Sequence, residues 1–347
     1  MFAVFSSEQY VLEPAEKNQM ENKNILITGS SGYVGSHTVK FLSKKGWNVF
    51  GLDRVPSLPK LAPYLSDFVK CCISDEEKIS AFIRKHHITS AIHCAALCLV
   101  AESVEKPALY FQNNVVFGKK LISALKSAGV ENIVFSSTAA TYGEPTRMPI
   151  PESHPQTPIN PYGQSKLDFE KHLLSLSNPA FRVGIVRYFN VSGADFDGEL
   201  GEHHDPETHL IPNAILALLK HKTFQVFGLD FNTRDGTCER DFIHALDLAL
   251  AHELLIERLR KGHTGEVYNL GVGQGYTILE VLREIEKQTQ QKIKVNHAVR
   301  RPGDPSKLVA DPTLASTQLK WKPLFSDLQT IISSALKWHQ KTFKQSR

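Results

Sequence analysis

The chain has 347 residues, of which 41% are apolar and 22% charged, as expected of a folded protein with one large domain or two joined ones. Its net charge of +4 is too small to indicate a nucleic-acid partner, and no apolar run reaches the ~20 residues of a membrane span. The five cysteines have no paired CxxC spacing that would support a zinc site, and a reducing, cytoplasmic setting fits them best.

The first 22 residues do not have the pattern of a targeting segment. They lack a basic leader and a long apolar region, which argues against a signal peptide. Glu8, Glu13 and Glu16 argue against a transit peptide, because transit peptides are poor in acidic residues. We therefore predict that residues 1–22 form a disordered extension.

Short β-branched runs alternate with amphipathic helical patterns from Asn24 to Phe189. This alternation predicts a parallel sheet with helices on both faces. The predicted strands are 24–28, 48–52, 68–73, 90–96, 132–138 and 182–189, and the predicted helices are 33–45, 75–86, 108–128 and 162–177.

The pattern changes after residue 190. A loop rich in glycine, histidine and acidic residues (193–209) precedes an apolar helix at 211–220 and a strand at 223–228, and residues 240–259 are expected to return to the main layer. Thr277 and Glu280 form a candidate capping box that opens a further helix. The predicted fold is therefore α/β, with a doubly wound parallel sheet over 23–189 and 240–270 and a smaller α/β substrate-binding cap over 190–239 and 271–347.

A glycine-rich turn lies between the first predicted strand and the first predicted helix. Gly29, Gly32 and Gly35 would let the backbone approach a pyrophosphate at the helix N-terminus. Asp53 ends the second predicted strand, where an acid accepts hydrogen bonds from a ribose diol and repels a 2′-phosphate. The turn therefore predicts a Rossmann domain that binds NAD rather than NADP, although the neighbouring Arg54 weakens that preference.

Tyr162 and Lys166 are four residues apart at the start of a predicted helix, so they project from one helical face. A tyrosine that accepts a proton near neutral pH needs a pKa below its usual ~10, and a nearby ammonium and an oxidised nicotinamide would both lower it. Thr138 ends the strand NIVFSST, at the sheet edge where ligands of open α/β sheets bind. We predict that Thr138 holds a substrate oxygen while Tyr162 removes its proton.

From about Lys23 to Pro323 the chain resembles the extended short-chain dehydrogenase/reductase family, and within it the UDP-glucose 4-epimerase group. Two of the motifs, GxxGxxG at 29–35 and PYGQSK at 161–166, belong to the whole superfamily. The motifs typical of nucleotide-sugar 4-epimerases are SSTAATYG (136–143), RYFN (187–190), GEHHDPETHLIP (201–212), CERDFIH (238–244) and RRPGD (300–304).

The resemblance implies an isomerase with a tightly held NAD that is not consumed. A sugar carried on a nucleotide would be oxidised at C4 to a 4-ketose, would turn over in the pocket and would be reduced on its other face. By the same resemblance, Tyr162 would be the proton acceptor, Lys166 would orient the nicotinamide ribose, and Thr138 stands where the family has serine or threonine. Family members commonly dimerise through two helices of the sheet domain, so we also expect a homodimer formed by 108–128 and 162–177.

Residue-by-residue matching to the family predicts two further sets of contacts. The cofactor-binding set is Gly29, Gly32, Tyr33, Val34, Gly35, Asp53, Arg54, Cys72, Ile73, Cys94, Ala95, Ala96, Cys98, Asn114, Thr138, Tyr162, Lys166 and Phe189. The substrate-binding set is Thr138, Tyr162, Asn190, His209, Leu210, Gln225, Val226, Phe227, Arg240, Arg301, Asp304 and Leu308. The guanidinium groups of Arg240 and Arg301 suit a diphosphate.

Several positions depart from the family pattern. Cys72 replaces an acid near the adenine and Cys98 replaces a lysine near the ribose and pyrophosphate, so NAD retention could be weaker. His209 replaces an asparagine of some members, and although HHDPETH has suitable ligand types for a metal, we expect a solvated loop or a nucleotide-sugar contact there and no metal site. Leu308 stands where members have either a large aromatic, which excludes 2-acetamido sugars, or a small residue, which admits them; leucine predicts partial tolerance.

The sequence bears on three alternatives to this activity. A 4,6-dehydratase would place Asp-Glu after the active-site threonine, whereas Ala139 and Ala140 follow Thr138 here, so dehydration is rejected. A 4-epimerase or reductase acting on another nucleotide sugar, such as an N-acetylhexosamine, a uronate or a pentose, stays open. A non-catalytic NAD-binding regulator is disfavoured by the intact Tyr162, Lys166 and Thr138.

Overall fold

The computed structural model describes residues 22–301 and 304–345. Of the predicted extension, residues 1–21 lie outside this part of the chain, and the side chain of Asn22 donates to the carbonyl of His87 at 2.8 Å. In chain order the strands are β1 Asn24–Thr28, β2 Asn48–Asp53, β3 Asp67–Lys70, β4 Ser90–His93, β5 Asn132–Thr138, β6 Arg182–Tyr188, β7 Asn190–Ser192, β8 Phe224–Phe227, β9 Glu239–His244, β10 Glu266–Leu270, β11 Gly275–Thr277, β12 Val295–Ala298 and β13 Lys307–Leu308.

The helices agree with the predicted alternation, except that the predicted helix 108–128 is preceded and divided by short segments. They are α1 Tyr33–Lys44, α2 Glu76–Lys85, α3 Val100–Glu105, α4 Pro107–Phe111, α5 Gly118–Ser127, α6 Pro161–Leu176, α7 Leu210–Leu219, α8 Ala245–Arg260, α9 Ile278–Thr289 and α10 Leu328–Gln345, with a π-helical turn at Gln112–Phe117 that joins α4 to α5. None of the helices in the described residues has both the length and the apolarity of a membrane span.

The main sheet contains seven strands of the described chain in the order β10–β6–β5–β4–β1–β2–β3, and every pairing is parallel. The chain moves outward from β1 to β2 and β3 on one side and from β4 to β5 and β6 on the other. The strand order therefore reverses between β1 and β4, and a crevice for a ligand opens at their carboxyl ends. This architecture confirms the predicted doubly wound α/β fold.

The pleat of β1 sends successive side chains into two separate cores. Ile25 and Ile27 lie in the core beneath α1 and α8, whereas Leu26 lies in the core beneath α2, α5 and α6. All three side chains are fully buried, so the strand is apolar on both faces, as a central parallel strand must be.

The cap has a core of its own, in which α7, α9 and α10 pack together with β8 and β12. Thr277 and Glu280 form the predicted capping box at the start of α9, which confirms that prediction. The segment predicted to return to the main layer does so later than residue 240. Residues 240–244 belong to β9, which pairs with β7, β11 and β13 rather than with the main sheet. The helix that follows, α8, packs on α1 and against the main sheet, and β10 then pairs with β6 at the edge of that sheet. The apolar pattern continues from β9 into α8, so the sequence did not separate the strand from the helix. The structure begins α8 after His244, whose imidazole accepts from the backbone N–H of Leu246.

A buried ion pair joins α6 to the main sheet. The guanidinium of Arg187 on β6 donates to the carboxylate of Glu170 on α6 at 2.7 Å, and the two side chains are 5% and 1% exposed. Ser137 on β5 also donates to Glu170. Arg187 donates to the hydroxyl of Tyr142 at 2.9 Å, and that hydroxyl donates to Asn269 on β10 at 2.7 Å. Three strands and α6 are therefore held by one polar network.

We expect Glu170→Gln to lower the free energy of unfolding by about 3–5 kcal/mol, because it leaves the buried guanidinium of Arg187 without its counter-charge. Urea unfolding followed by circular dichroism measures this loss. Glu131→Gln is the matched control, because Glu131 pairs at 2.8 Å with Arg182 on the same strand but is 56% exposed. That control should change the free energy by less than about 1 kcal/mol. Equal losses in the two variants would contradict the importance assigned to the buried pair.

Candidate active site

The glycine turn after β1 is tightly built. Gly29 has φ +70°, and a side chain there would meet the backbone nitrogen of Ala95 at 2.7 Å. A Cβ atom at Gly35 would lie 2.0 Å from the carbonyl oxygen of Gly29. Gly32 precedes α1 without a side-chain cap, so the first N–H groups of the helix are open to an external acceptor. The turn therefore fits a cofactor pyrophosphate at a helix N-terminus.

Asp53 lies beside this turn, as the sequence predicted. One carboxylate oxygen accepts from the backbone N–H of Ser31 at 3.0 Å, and the other accepts from that of Val55 at 3.3 Å. These bonds hold a half-buried acid at the end of β2, whereas Arg54 is exposed. The position suits a ribose diol.

The segment after β4 forms another wall of the crevice. Asn114 binds both backbone groups of Leu97, accepting from its N–H at 2.9 Å and donating to its carbonyl at 3.0 Å. The same amide donates to Ser165 on α6 at 3.0 Å, so the loop and the helix are fixed to each other. Cys94, Ala95 and Ala96 are half-buried along this segment.

The two cysteines that depart from the family pattern are both exposed. Cys72 accepts from the hydroxyl of Ser74 at 3.2 Å, and the adjacent Ile73 is buried in the core beneath α2. Tyr33 donates from its hydroxyl to the carbonyl of Gly193 at 2.7 Å, which ties the start of α1 to the loop after β7. The side chain of Val34 packs against the core beneath α1 and α8.

Tyr162, Lys166 and Thr138 meet at the carboxyl end of β5. The hydroxyl of Thr138 lies next to that of Tyr162 and acts to lower the pKa of the phenol, against the effect of burial. The ammonium of Lys166 donates to the carbonyl of Ser136 at 2.8 Å and lies 4.7 Å from the ring centre of Phe135. The three side chains are nearly buried, with Thr138 9%, Tyr162 7% and Lys166 2% exposed.

Burial dominates the electrostatics of this group. It lowers the pKa of Lys166 to about 8, and burial together with Cys98 raises the pKa of Tyr162 above its ordinary value. The acidification expected for Tyr162 is therefore not a property of the protein alone, because a phenolate is costly in a dry site without a cation. The positive charge of oxidised nicotinamide would act in the required direction.

The predicted substrate residues lie between the sheet and the cap. Leu308 packs against the cluster that contains Ala139, Ile150 and Phe189. It pairs with Arg240 in the register between β13 and β9, and the guanidinium of Arg240 reaches Asp304 at 3.2 Å. Arg240 and Asp304, which were both predicted to contact the substrate, therefore form an ion pair with each other.

The other predicted substrate residues are placed unequally. Arg301 stacks 3.9 Å from the ring centre of Phe227, and Asn190 opens β7 beside Phe242. Gln225 is exposed and Leu210 is half-buried at the start of α7. The side chain of Val226 is fully buried in the cap core, so a substrate contact there would come from its backbone, and the predicted contact stays a prediction. Side chains alternate along β8, and only the backbone of Val226 can face a ligand.

Three positioning residues were missed by the sequence analysis: Ser136, Ser165 and Glu170. Ser136 supplies the carbonyl that holds Lys166, and its hydroxyl hydrogen-bonds His252 at 2.9 Å. Ser165 joins α6 to Asn114, and Glu170 joins it to Arg187. Ser136 and Ser165 belong to the quoted motifs at 136–143 and 161–166, which were the available signal.

Comparisons with known proteins agree with this geometry. The model of the NAD dependent epimerase/dehydratase family matches residues 25–271. The UDP-glucose 4-epimerase of Rhizobium meliloti (strain 1021) is 43% identical over 324 residues, covering 93% of this chain and 98% of that protein. The structure of UDP-glucose 4-epimerase from Brucella ovis in complex with NAD is 42% identical with a TM-score of 0.87, covering 90% of this chain and 97% of that one.

A further solved structure is similar over nearly the same length. The UDP-Glc/GlcNAc 4-epimerase from Campylobacter jejuni is 36% identical with a TM-score of 0.79, and the match covers 92% of this chain and 99% of that one. The family resemblance inferred from the motifs is thus confirmed. The chain belongs to the NAD dependent epimerase/dehydratase family.

Proposed function

We propose that this protein is an NAD-dependent UDP-glucose/UDP-galactose 4-epimerase. The observation that carries the proposal is the contact between the hydroxyls of Tyr162 and Thr138 at the carboxyl end of β5, with Lys166 one helical turn further along α6. The glycine turn and Asp53 lie at the same edge of the sheet. The relatives named UDP-glucose 4-epimerase, matched over almost their full length, support this choice of substrate.

The chain itself supplies proton transfer and orientation. Thr138 would hold the sugar 4-hydroxyl against Tyr162, which would take its proton and later return it. Ser136 fixes the ammonium of Lys166, which would lie beside the nicotinamide ribose of a bound NAD and would favour the phenolate. NAD, when bound, supplies the hydride acceptor and donor. The glycine turn, Asp53 and the Asn114-fixed loop would hold it in place.

The residues after Thr138 separate this chemistry from dehydration. Ala139 is 5% exposed and packs against Phe189 and Leu308, so an apolar surface stands where an acid–base pair would be needed. Eliminating water needs a general acid to protonate the leaving hydroxyl, and neither Ala139 nor Ala140 can supply one. The site therefore suits a reaction that removes no oxygen from the sugar, such as epimerisation, rather than dehydration.

Assembly and location complete the proposal. Helices α3 and α4 contact α6. A homodimer formed at this place is supported by four exposed apolar side chains on α3 and α4, namely Val100, Val104, Leu109 and Phe111. Apolar patches of this kind mark interaction surfaces. The free thiols of all five cysteines suit a reducing, cytoplasmic setting.

Tyr162→Phe should reduce turnover of UDP-galactose by roughly 10²–10⁴-fold, because it removes the proton acceptor and leaves the ring packing in place. The rate of UDP-glucose formation measures this loss. Tyr268→Phe is the matched control, since Tyr268 is equally buried but donates to Gln318 outside the site, and it should keep its turnover. A loss of only a few-fold in Tyr162→Phe would mean that another group accepts the proton.

We expect the unaltered protein to retain NAD less firmly than its Cys98→Lys variant does. Cys98 is exposed and follows Leu97, whose N–H is held by Asn114, and the resemblance places it near the ribose and pyrophosphate, so Cys98→Lys would restore the lysine of the family. We expect that variant to release NAD about 10-fold more slowly or better, as one hydrogen bond to a charged group would allow. NAD remaining after gel filtration measures it. Leu324→Lys adds the same charge at a 61% exposed position outside the predicted cofactor-binding set and should not slow release.

UDP-N-acetylgalactosamine should be a measurable but poorer substrate than UDP-galactose, because Leu308 leaves more room beside Phe189 than a large aromatic would. Leu308→Tyr should lower the kcat/KM ratio of the N-acetyl sugar to the plain sugar by roughly 10–200-fold. Leu324→Tyr, at a 61% exposed position, is the control. No detectable N-acetyl turnover by the unaltered protein would sink the hypothesis of partial tolerance.

A further inference from the structure

A cluster of four side chains lies in the loop between β7 and α7. Glu202, His204, Glu207 and His209 each offer one carboxylate oxygen or imidazole nitrogen, and these four atoms lie within 4.8 Å of one another. The four residues are two or three positions apart in the chain, at 202, 204, 207 and 209. Both glutamate side chains are nearly buried, at 5% and 8% exposed.

The separations within the cluster are those of a first coordination sphere. Zinc binds imidazole nitrogen and carboxylate oxygen at about 2.0–2.2 Å, which places neighbouring ligands of a tetrahedron about 3.3–3.6 Å apart. The Nδ1 atom of His204 lies 3.5 Å from Glu207 and 3.7 Å from Glu202. The Nδ1 atom of His209 lies 3.5 Å from Glu207 and 2.7 Å from Glu202. Two of these four distances fall within the tetrahedral range, and a third, 3.7 Å, lies just above it.

The two imidazole nitrogens have carboxylate neighbours but no hydrogen bond of ordinary geometry. The Nδ1 atoms of His204 and His209 are shielded from solvent, and neither makes a hydrogen bond within the described residues. The oxygen of Glu202 is close to His209 but lies off the direction in which an N–H would point. Buried imidazole nitrogens are rarely left in this way, and each such case requires an explanation. A cation among the four side chains would satisfy both nitrogens together.

We propose that Glu202, His204, Glu207 and His209 bind one zinc ion. Two imidazoles and two carboxylates are ligands that zinc accepts, and four protein ligands leave no open position for a substrate. The site is therefore structural and goes beyond the proposed epimerase activity. It would fix the loop that leads into α7 and would make His209 a metal ligand rather than the nucleotide-sugar contact predicted from the sequence.

The alternative is a metal-free ion-pair network. Although burial opposes it, the carboxylates of Glu202 and Glu207 raise the pKa of His209 to about 10. A protonated His209 could thus neutralise part of the charge without a metal. The two arrangements differ in what the purified protein contains and in how it responds to a chelator. Neither difference depends on catalysis.

The experiment uses the full chain with its purification tag removed, stripped with a chelator and then titrated with zinc in competition with a chromophoric chelator. We expect about one tightly bound equivalent per chain and a higher melting temperature on reloading. Cobalt in place of zinc should give the strong visible absorption of a tetrahedral site. Absence of tight zinc binding by the stripped protein, or a weak octahedral cobalt spectrum, overturns the proposal.

The variants test the ligand assignment. His204→Gln should weaken zinc binding by at least about 100-fold, the upper end of the loss that even a group behind the ligands can cause. His203→Gln is the matched control, because His203 is the adjacent, exposed histidine and lies outside the cluster. It should bind zinc as the unaltered chain does. Equal zinc affinity in the two variants contradicts the assignment, and misfolding of His204→Gln leaves the titration of the unaltered chain to decide.

Discussion

The ion pair between Arg187 and Glu170 holds the position on which the rest of the site depends. Helix α6 has Tyr162 at its second residue, Lys166 one turn later and Glu170 after another turn. Because Glu170 is bound by Arg187 on β6 and by Ser137 on β5, the helix cannot rotate or slide without breaking a buried charge pair. The reactive face of α6 is therefore fixed against the strand that ends in Thr138.

The same helix is fixed a second time near its start. Asn114 binds Ser165 on α6 and both backbone groups of Leu97, which follows β4. Adjacent parallel strands end at the same edge of the sheet, so this amide sets the distance between the cofactor crevice and the proton acceptor. One polar side chain thus connects the loop after β4 to the helix that carries Tyr162.

Dryness gives the site its chemistry. Burial raises the pKa of Tyr162 and lowers the pKa of Lys166. The protein without its cofactor therefore favours a neutral phenol at Tyr162 and an ammonium at Lys166 that gives up its proton more easily than an exposed lysine does. A cationic nicotinamide reverses the first of these tendencies. In the proposed mechanism Tyr162 would therefore accept a proton only with the oxidised cofactor in place.

The sequence by itself determined the doubly wound sheet, the glycine turn, Asp53 and the Tyr162–Lys166 pair, because these depend on local patterns of apolar, glycine and helical spacing. It could not show that Val226 points into the cap core, since a short strand alternates its faces in a register set by its neighbours. It could not show the convergence of Glu202, His204, Glu207 and His209 either. Those atoms meet because the path of a loop brings them together, and such a path is decided by tertiary contacts rather than by the order of residues.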